Sequence, residues 1–333
     1  MLAFRQTPPL SLTGGGVFLC AALLGTSPAI GDLRFPLDCT LGEDCFIQQY
    51  VDRDPGPGAV DFTCGSLAYD GHKGTDFRLA DDMAMLGGVD VLSASPGMVR
   101  ALRDGIRDFP SGSPAAPDVT GRECGNGVVI EREDGWTLQY CHLRQGSVRV
   151  AEGQRVEPGQ VLGQIGLSGQ TQFPHLHLTV RDPDGRVIDP FDARPQDAAC
   201  TLDDAETLWA EPIAYAPGGV LGGGFLDRLP DYGEVRAGTA AAQALPADAL
   251  ALVFWAHFFG VREGDRLELT LAAPDGSVVA ETAHVMDRNR AAEFRAVGRK
   301  ARGVWPTGAY RGTAVLRREG AEVDRFEDTL TVD

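Results

Sequence analysis

Short runs of β-forming residues, each ended by glycine, proline or aspartate, recur along most of this chain, whereas helical periodicity is scarce. The 333 residues include 42 glycines and 21 prolines, so turns are available at close intervals. Between residues 62 and 195 these runs predict a compact, mainly antiparallel β domain. The predicted strands there cover residues 88–94, 97–102, 126–131, 136–142, 147–150, 161–166, 175–180 and 186–188.

The sequence pattern changes on either side of residues 196–206, and we interpret these residues as a linker. Regular β-type runs joined by tight turns fill residues 207–333 and predict a β-sandwich of the immunoglobulin-like kind. The predicted fold class is therefore mainly β, a compact antiparallel β-sheet domain followed by a β-sandwich. The sandwich strands are predicted at residues 249–259, 266–272, 277–285, 309–317 and 329–332, and Gly222-Gly223-Gly224 is interpreted as a linker.

The first 29 residues have the features of an export signal. Arg5 supplies a positive start, residues 17–24 form an uninterrupted apolar run, and residues 27–29 resemble a small-x-small cleavage site. We therefore interpret residues 1–29 as a signal peptide and expect an exported protein, periplasmic or secreted. Residues 30–61 are rich in turn-forming residues and are interpreted as a lead-in segment that wraps the following domain.

Acidic residues outnumber basic ones, with 47 Asp and Glu against 30 Lys and Arg, for a formal net charge of −17. This balance opposes binding to nucleic acid or to an anionic membrane surface, because both attract positive charge. After residue 29 the longest apolar run, residues 249–256, is far shorter than the roughly 20 residues of a membrane-spanning helix. We expect no nucleic-acid partner and no membrane span in the mature chain.

Cysteine usage agrees with export. An even number of cysteines behind an export signal predicts disulfides, although the sequence leaves most of the pairing open. We favour a bond between Cys124 and Cys141, because the predicted strands beside them flank a turn-like segment at residues 133–135. The six cysteines that follow residue 29 are Cys39, Cys45, Cys64, Cys124, Cys141 and Cys200.

Four of the six histidines are concentrated in the middle of the chain, at His72, His142, His175 and His177. His72 and Asp76 are four residues apart, which places both on one side of a strand or a helical turn. His175 and His177 are two residues apart, so both project to one face of a strand. A ligand set of His, Asp and His leaves a tetrahedral zinc with an open position for water, as in catalytic sites. Spacing alone does not decide between His175 and His177 as the metal ligand.

These residues resemble the LytM/lysostaphin-type zinc metallopeptidases, peptidase family M23. The resemblance covers roughly residues 70–193 and does not extend to the C-terminal region. It is carried by three elements in the order His72-x-x-x-Asp76, Tyr140-Cys141-His142-Leu143 and Pro174-His175-Leu176-His177.

The resemblance implies that His72, Asp76 and His177 bind Zn²⁺ and that His142 and His175 are the catalytic pair. One of this pair would accept a proton from the attacking water, and the other would stabilise the oxyanion or protonate the leaving amine. The sequence leaves open which histidine does which. The implied function is that of an exported zinc endopeptidase, and the implied substrate is the peptide cross-link of bacterial peptidoglycan.

Two other functions stay open. A catalytically silent protein of the same fold would bind cell wall or activate an amidase, but it would be expected to lose some of the five polar residues, which are all present here. The second alternative is a secreted protease that acts on Gly-rich proteins.

Expectations for the rest of the chain are less specific. We expect the sandwich region to contact a protein partner or to pack against the peptidase domain, and to take no part in bond cleavage. His257 and His284 are expected to be structural. The loop at residues 104–122 is rich in Pro, Gly and Ser, and both a functional loop and a floppy insertion stay open for it.

Overall fold

A computed structural model describes residues 31–195 and 205–333 of the protein. The predicted signal peptide, Cys200 and most of the predicted linker lie outside the described residues, so those predictions are not examined by the structure. Antiparallel strands dominate the described part of the chain, and the predicted fold class, mainly β, is confirmed.

The elements of the first region are short strands and one short helix. They are β1 (Cys45–Gln49), β2 (Thr75–Leu79), α1 (Asp82–Gly87), β3 (Asp90–Leu92), β4 (Gly97–Arg103), β5 (Asn126–Glu131), β6 (Thr137–Leu143), β7 (Arg155–Val156), β8 (Val161–Gln164), β9 (His175–Arg181) and β10 (Val187–Ile188).

The elements of the second region include longer strands. They are β11 (Gly219–Leu226), α2 (Tyr232–Ala237), β12 (Ala244–Leu245), β13 (Ala251–Val261), β14 (Arg266–Ala272), β15 (Val278–Val285), β16 (Arg290–Lys300), β17 (Gly308–Arg318) and β18 (Ala321–Val332).

One large antiparallel sheet organises the first region. Its strand order is β1-β2-β9-β6-β5-β4-β7, with β10 paired to the far end of β9, while β3 and β8 form a separate two-stranded sheet. The predicted lead-in segment contains β1, which pairs with β2 at the sheet edge, so this segment is part of the sheet. Residues 147–150, predicted as a strand, form none.

The core of the first region is formed by apolar side chains that occupy every second position of the central strands. Leu176 and Leu178 on β9 are fully buried, as are Leu138 on β6 and Ile130 on β5, and Phe77 on β2 joins them. Because successive side chains of a strand point to opposite faces, the residues between these leucines project to the other face of the sheet. The core therefore fixes the direction in which the polar residues of β2 and β9 point.

Two sheets make up the second region and share one hydrophobic core. The first has the order β11-β13-β16, and the second has the order β12-β18-β17-β14-β15, with only β12 and β18 parallel in the described pairings. Phe254 and Phe258 of β13 meet Leu267 and Leu269 of β14 in that core. The immunoglobulin-like assignment stays a prediction.

The interpretation of Gly222-Gly223-Gly224 as a linker is wrong, because these residues lie within β11. The reason is packing against neighbouring side chains. A Cβ at Gly223 would come within 2.7 Å of the Phe326 ring and 2.6 Å of the Trp255 carbonyl oxygen. Glycine here makes room for a ring, which strand propensity alone does not anticipate.

The two regions are in direct contact. Trp209 pairs with Leu33 and packs its indole against Phe77 and Phe191, so the segment after the predicted linker begins inside the first core. Further along the chain, the Tyr215 hydroxyl donates to the carboxylate of Asp61 at 2.8 Å. No helix of the described residues has the length and apolar character needed to span a membrane.

Candidate active site

Three adjacent strands and one turn bring the five predicted site residues together. Asp76 on β2 is directly opposite His177 on β9, and His175 is two residues earlier on β9. β6, paired to the other side of β9, carries His142 near its end. His72 lies in the turn that leads into β2. Antiparallel pairing therefore places all four imidazoles around one carboxylate.

Three donor atoms converge at the centre of this cluster. His72 Nε2 lies 3.2 Å from Asp76 Oδ1 and 3.2 Å from His177 Nδ1, and His177 Nδ1 lies 2.8 Å from Asp76 Oδ1. Donors about 2.0 to 2.1 Å from a tetrahedral zinc ion are roughly 3.3 Å apart. His72, Asp76 and His177 are thus spaced as ligands of one small dication, and their chemistry fits zinc.

The donor direction of His72 is fixed by the backbone. Its Nδ1 lies 2.6 Å from the carbonyl oxygen of Tyr50, which can only accept a hydrogen bond, so Nδ1 carries the proton. The Nε2 lone pair of His72 is then free to face the cluster. His177 has the opposite orientation, with Nδ1 in the cluster and Nε2 at 3.1 Å from Thr179 Oγ1.

The same argument applies to the other two histidines. His142 Nδ1 donates to the carbonyl oxygen of Ser168 at 2.8 Å, and His175 Nδ1 donates to the carbonyl oxygen of Phe173 at 2.9 Å. Both therefore present Nε2 to the site. Their rings are 4.7 Å apart between centroids, and His175 Nε2 lies 3.4 Å from Asp76 Oδ1. The pair forms one wall beside the three-donor cluster.

Burial and mutual contact set the charges of the cluster. Burial alone would raise the pKa of the Asp76 carboxyl, but the nearby His175 and His72 hold that pKa well below its ordinary value. Burial, reinforced by the imidazoles of His175 and His177, holds the pKa of His142 well below its ordinary value. Asp76 is therefore an anion and His142 a neutral imidazole at neutral pH.

The backbone at His142 is unusual. Its φ of 64° lies in the left-handed region, which non-glycine residues seldom adopt. The Cys124–Cys141 disulfide, the favoured pairing, lies immediately before it, and the His142 amide donates to the carbonyl of Cys124 at 2.8 Å. Close backbone packing also holds Ser168, because a Cβ on Gly125 would lie 2.3 Å from its carbonyl oxygen. The braced end of β6 therefore aims the imidazole.

Three flanking residues were not predicted from the sequence. The Phe173 ring stacks on His175 with centroids 4.5 Å apart, and the Tyr69 ring lies 4.4 Å from that of His72. Thr171 places its hydroxyl 3.1 Å from His175 Nδ1. Their closeness in sequence to the histidine motifs is the signal that was available. One ring therefore flanks a predicted metal ligand, and the other flanks a member of the predicted catalytic pair.

A cleft of about 720 Å³ extends from the His72 side of the site. Charged residues of both signs line it, among them Asp70, Lys73 and Arg186. Its size lies within the usual range of ligand pockets, roughly 300 to 1,000 Å³. Of the five site residues only His72 lines the cleft, so the cleft adjoins the cluster on that side alone.

The loop at residues 104–122 is fastened to the site. The Asp104 carboxylate accepts from the amide of Gly146 at 2.6 Å, and the Asp108 carboxylate accepts from that of Leu167 at 2.7 Å. The Ser111 amide donates to the carbonyl of Thr171 at 2.6 Å. The loop therefore borders the His175 side of the site and is not a floppy insertion.

The two histidines expected to be structural lie in the second region. His257 is buried on β13, and burial with the nearby Arg78 and Arg236 lowers its pKa to about 3. His284 on β15 lies 2.8 Å from a guanidinium nitrogen of Arg295.

Comparison with known proteins relates part of the chain to one family. Residues 70–190 match peptidase family M23. The chain is 30% identical over 131 residues to the DD-carboxypeptidase/endopeptidase Mpg of Neisseria meningitidis, a match that covers 39% of this chain and 26% of that protein. It is 33% identical over 124 residues to the peptidoglycan DD-endopeptidase ShyA of Vibrio cholerae, covering 37% and 23%.

The chain thus spans about a quarter of the length of these curated relatives. Among solved structures, a zinc-containing peptidase from Vibrio cholerae is 26% identical with a TM-score of 0.28, over 44% of this chain and 39% of that one. The family match lies within the first region.

Proposed function

We propose that this chain, in which residues 70–190 form a peptidase family M23 domain, is an exported zinc-dependent endopeptidase that hydrolyses peptide cross-links of bacterial peptidoglycan. The observation that carries the proposal is the convergence of His72 Nε2, Asp76 Oδ1 and His177 Nδ1 within 3.2 Å of one another, beside two further imidazoles.

His72, Asp76 and His177 would hold the metal. Two neutral imidazole nitrogens and one carboxylate oxygen suit zinc, and a set of three protein ligands is typical of catalytic zinc sites. Zinc, when bound, supplies Lewis acidity and lowers the pKa of water to about 7. The backbone carbonyl of Tyr50, which accepts from His72, fixes the direction of one ligand before the metal arrives.

His142 and His175 are assigned to proton transfer and charge stabilisation. Each has Nδ1–H anchored on a carbonyl, so each presents Nε2 to the reacting groups. A neutral Nε2 accepts a proton from the attacking water, and a protonated Nε2 donates to the oxyanion or to the leaving amine. The two rings are 4.7 Å apart, which allows both to contact one tetrahedral centre.

Peptidoglycan is proposed as the substrate because the similar proteins Mpg and ShyA are named as endopeptidases, ShyA as one that acts on peptidoglycan. Export is supported by the signal-like residues 1–29 and by the disulfides Cys39–Cys45 and Cys124–Cys141, which persist in oxidising compartments. We place the protein in the periplasm or outside the cell, with the C-terminal region as the surface for any protein partner.

Digestion of purified peptidoglycan with and without a chelator, followed by mass analysis of released peptides, tests the proposal. We expect chelator-sensitive release of peptides cut at the cross-link. No release in either sample would favour the silent scaffold, and cleavage of Gly-rich proteins without cleavage of peptidoglycan would favour the secreted protease.

A further inference from the structure

A second pocket, of about 320 Å³, lies where the C-terminal region meets the peptidase domain. We call it the flanking pocket. From the peptidase domain it is lined by Arg78, Gln172 and Phe173, and from the C-terminal region by Tyr232, Arg236 and Arg290. Neither region forms this pocket alone.

One aromatic ring separates the flanking pocket from the site. Phe173 stacks on His175 with centroids 4.5 Å apart, and the Arg78 guanidinium lies 4.8 Å from the centre of the same ring. Arg236 of α2 donates to the carbonyl of Gln172 at 2.5 Å, which ties the C-terminal region to the segment leading into His175. The flanking pocket therefore lies next to the His175 side of the site, with the Phe173 ring between them.

Two of the three guanidinium groups of this pocket, those of Arg78 and Arg236, lack close acidic partners. Among the described residues, no carboxylate lies within 4.0 Å of the nitrogens of Arg78 or Arg236. Buried Arg78 donates instead to the Leu79 carbonyl at 3.0 Å and to the Gln48 side chain. Arg290, by contrast, is paired with Glu293, whose carboxylate oxygen lies 3.7 Å from its Nε.

Two acids and a histidine also face the pocket. The Asp81 carboxylate is engaged as the cap of α1, where it accepts from the Ala84 amide at 2.8 Å. Asp82 has one buried oxygen without a partner among the described residues. His257 is neutral, since its pKa is lowered to about 3 by burial and by Arg78 and Arg236. Because Glu293 pairs with Arg290, the positive charge of the pocket that lacks a close carboxylate is that of Arg78 and Arg236.

We propose that the flanking pocket binds a carboxylate group of the substrate on the His175 side of the bond that is cleaved. This inference rests on the proposed function, because a peptidoglycan stem peptide carries free carboxylates. An arginine fork matches a carboxylate in two parallel hydrogen bonds, and Arg236 retains free donors for it beyond the bond to Gln172. The pocket has room for one end group and not for an anionic polymer. The C-terminal region thus selects the substrate without taking part in bond cleavage.

The test compares a purified cross-linked stem-peptide dimer with the same dimer after its carboxylates are converted to carboxamides. Binding is measured by calorimetry on full-length mature protein carrying His142→Ala to stop turnover. We expect the acid form to bind about 10-fold to 100-fold more tightly than the amide, the range of one charge-assisted hydrogen-bonded contact. Adding Arg236→Gln or the exposed Arg290→Gln should remove most of this preference.

Arg311→Gln provides the matched control, since it removes the same charge from an exposed position on β17, outside the pocket. It should leave the preference intact. Equal binding of acid and amide, an unchanged preference in both Arg236→Gln and Arg290→Gln, or loss of the preference in Lys73→Gln instead would each overturn the proposal. Failure of the proposed function is distinguishable, because it appears as a wild-type protein that binds the dimer with this preference and cleaves neither form.

Discussion

Backbone carbonyls decide what each site histidine can do. His72, His142 and His175 all donate Nδ1–H to a carbonyl oxygen, at 2.6, 2.8 and 2.9 Å, and thereby expose Nε2. His177 is the exception, since its Nδ1 faces the Asp76 carboxylate. The orientation of each imidazole is therefore set by the fold before any ligand binds.

At residue scale the first prediction concerns metal binding. Purified mature protein should contain about one zinc per chain, and His177→Ala should lose most of it, because two remaining ligands hold zinc weakly. Elemental analysis measures the metal directly. His284→Ala, the same change at a histidine outside the site, should keep its zinc, and full retention in His177→Ala would refute the assignment.

The second prediction separates chemistry from metal binding. His142→Ala and His175→Ala should each lower the rate of peptide hydrolysis about 100-fold to 10,000-fold, the usual effect of losing a proton-transfer group. Zinc content should stay unchanged in both. Wild-type rates in both variants would move the active site elsewhere, and zinc loss in either would show that a ligand had been mistaken for a catalytic residue.

The third prediction concerns the stability of the protein in acid. The pKa of His257 is about 3 in the folded protein, lowered by burial and by Arg78 and Arg236, against about 6.5 when unfolded. Between these values the unfolded state binds more protons, so the free energy of unfolding falls as pH drops, by at most about 1.4 kcal/mol per pH unit. Urea unfolding between pH 7 and pH 4 should show a shallower decline in His257→Gln. An identical slope in the variant would contradict this account.

Spacing within local motifs pointed to the polar residues that the structure brings together, because a strand imposes a period of two. The resemblance was still needed to choose His177 over His175 as the predicted metal ligand and to assign His142. The donor atom of each imidazole could not be predicted, since it depends on carbonyls distant in sequence, such as that of Tyr50 for His72. Phe173 and Tyr69 were missed for a related reason. A ring contact with a histidine depends on the path of a turn, and the sequence specifies that path poorly.

At the scale of elements, the strands in which apolar and polar residues alternate were predicted well. The bounds of β5 and β14 agree with the predicted residues 126–131 and 266–272. β2 and β16 were missed because charged residues interrupt their apolar pattern, as Arg78 does where it is buried in the flanking pocket. β11 was missed because it contains several glycines, which are uncommon inside strands.

The fourth prediction assigns different roles to two disulfides. Cys124–Cys141 closes a separation of 17 residues and precedes His142, whereas Cys39–Cys45 closes only 6 residues at the sheet edge. Replacing both cysteines of either pair by serine should lower the melting temperature, more for the longer loop, with about 2 to 4 kcal/mol typical of one bridge.

Of the two double variants, only Cys124→Ser/Cys141→Ser should also lose turnover, because its bridge braces the end of β6 that holds His142. Thermal unfolding and initial rates on the same samples provide both measurements, and the Cys39→Ser/Cys45→Ser protein is the control. Equal rates in the two double variants would show that the brace is unnecessary for catalysis.

At the scale of the whole molecule, the two regions are joined by more than a linker. Trp209 lies in the first core, and Phe46 of β1 packs on Phe259 of β13 with ring centroids 5.6 Å apart. The sequence suggested two regions from a change in composition. It could not show these contacts, because residues such as Phe46 and Phe259 are far apart in the sequence and meet through surfaces that have no periodic pattern.

The fifth prediction follows from the position of Trp209. A protein that ends near Ala216 keeps Trp209 and Tyr215 against the first core, and it should fold, hold zinc and cleave small soluble peptides. A protein that ends near Ala205 removes the Trp209 indole from Phe77 and Phe191, and it should fold poorly. Circular dichroism, zinc content and peptide hydrolysis compare the two. A folded, zinc-loaded protein ending near Ala216 that cleaves no peptide would show that the C-terminal region completes the chemistry.

The left-handed backbone at His142 bears on how proteins of this kind evolve. A side chain held at a φ of 64° costs about 1 kcal/mol or more, whereas glycine occupies that region freely. Replacement of His142 by glycine loses the contacts of the imidazole, but it also relieves the backbone strain, and this relief offsets part of the lost stability. Replacement of His175 brings no such relief. Selection for stability alone holds histidine only weakly at this position, and selection for turnover must retain it. In descendants freed from that selection, position 142 is where the proposed catalytic pair should be lost first, leaving a protein that still folds.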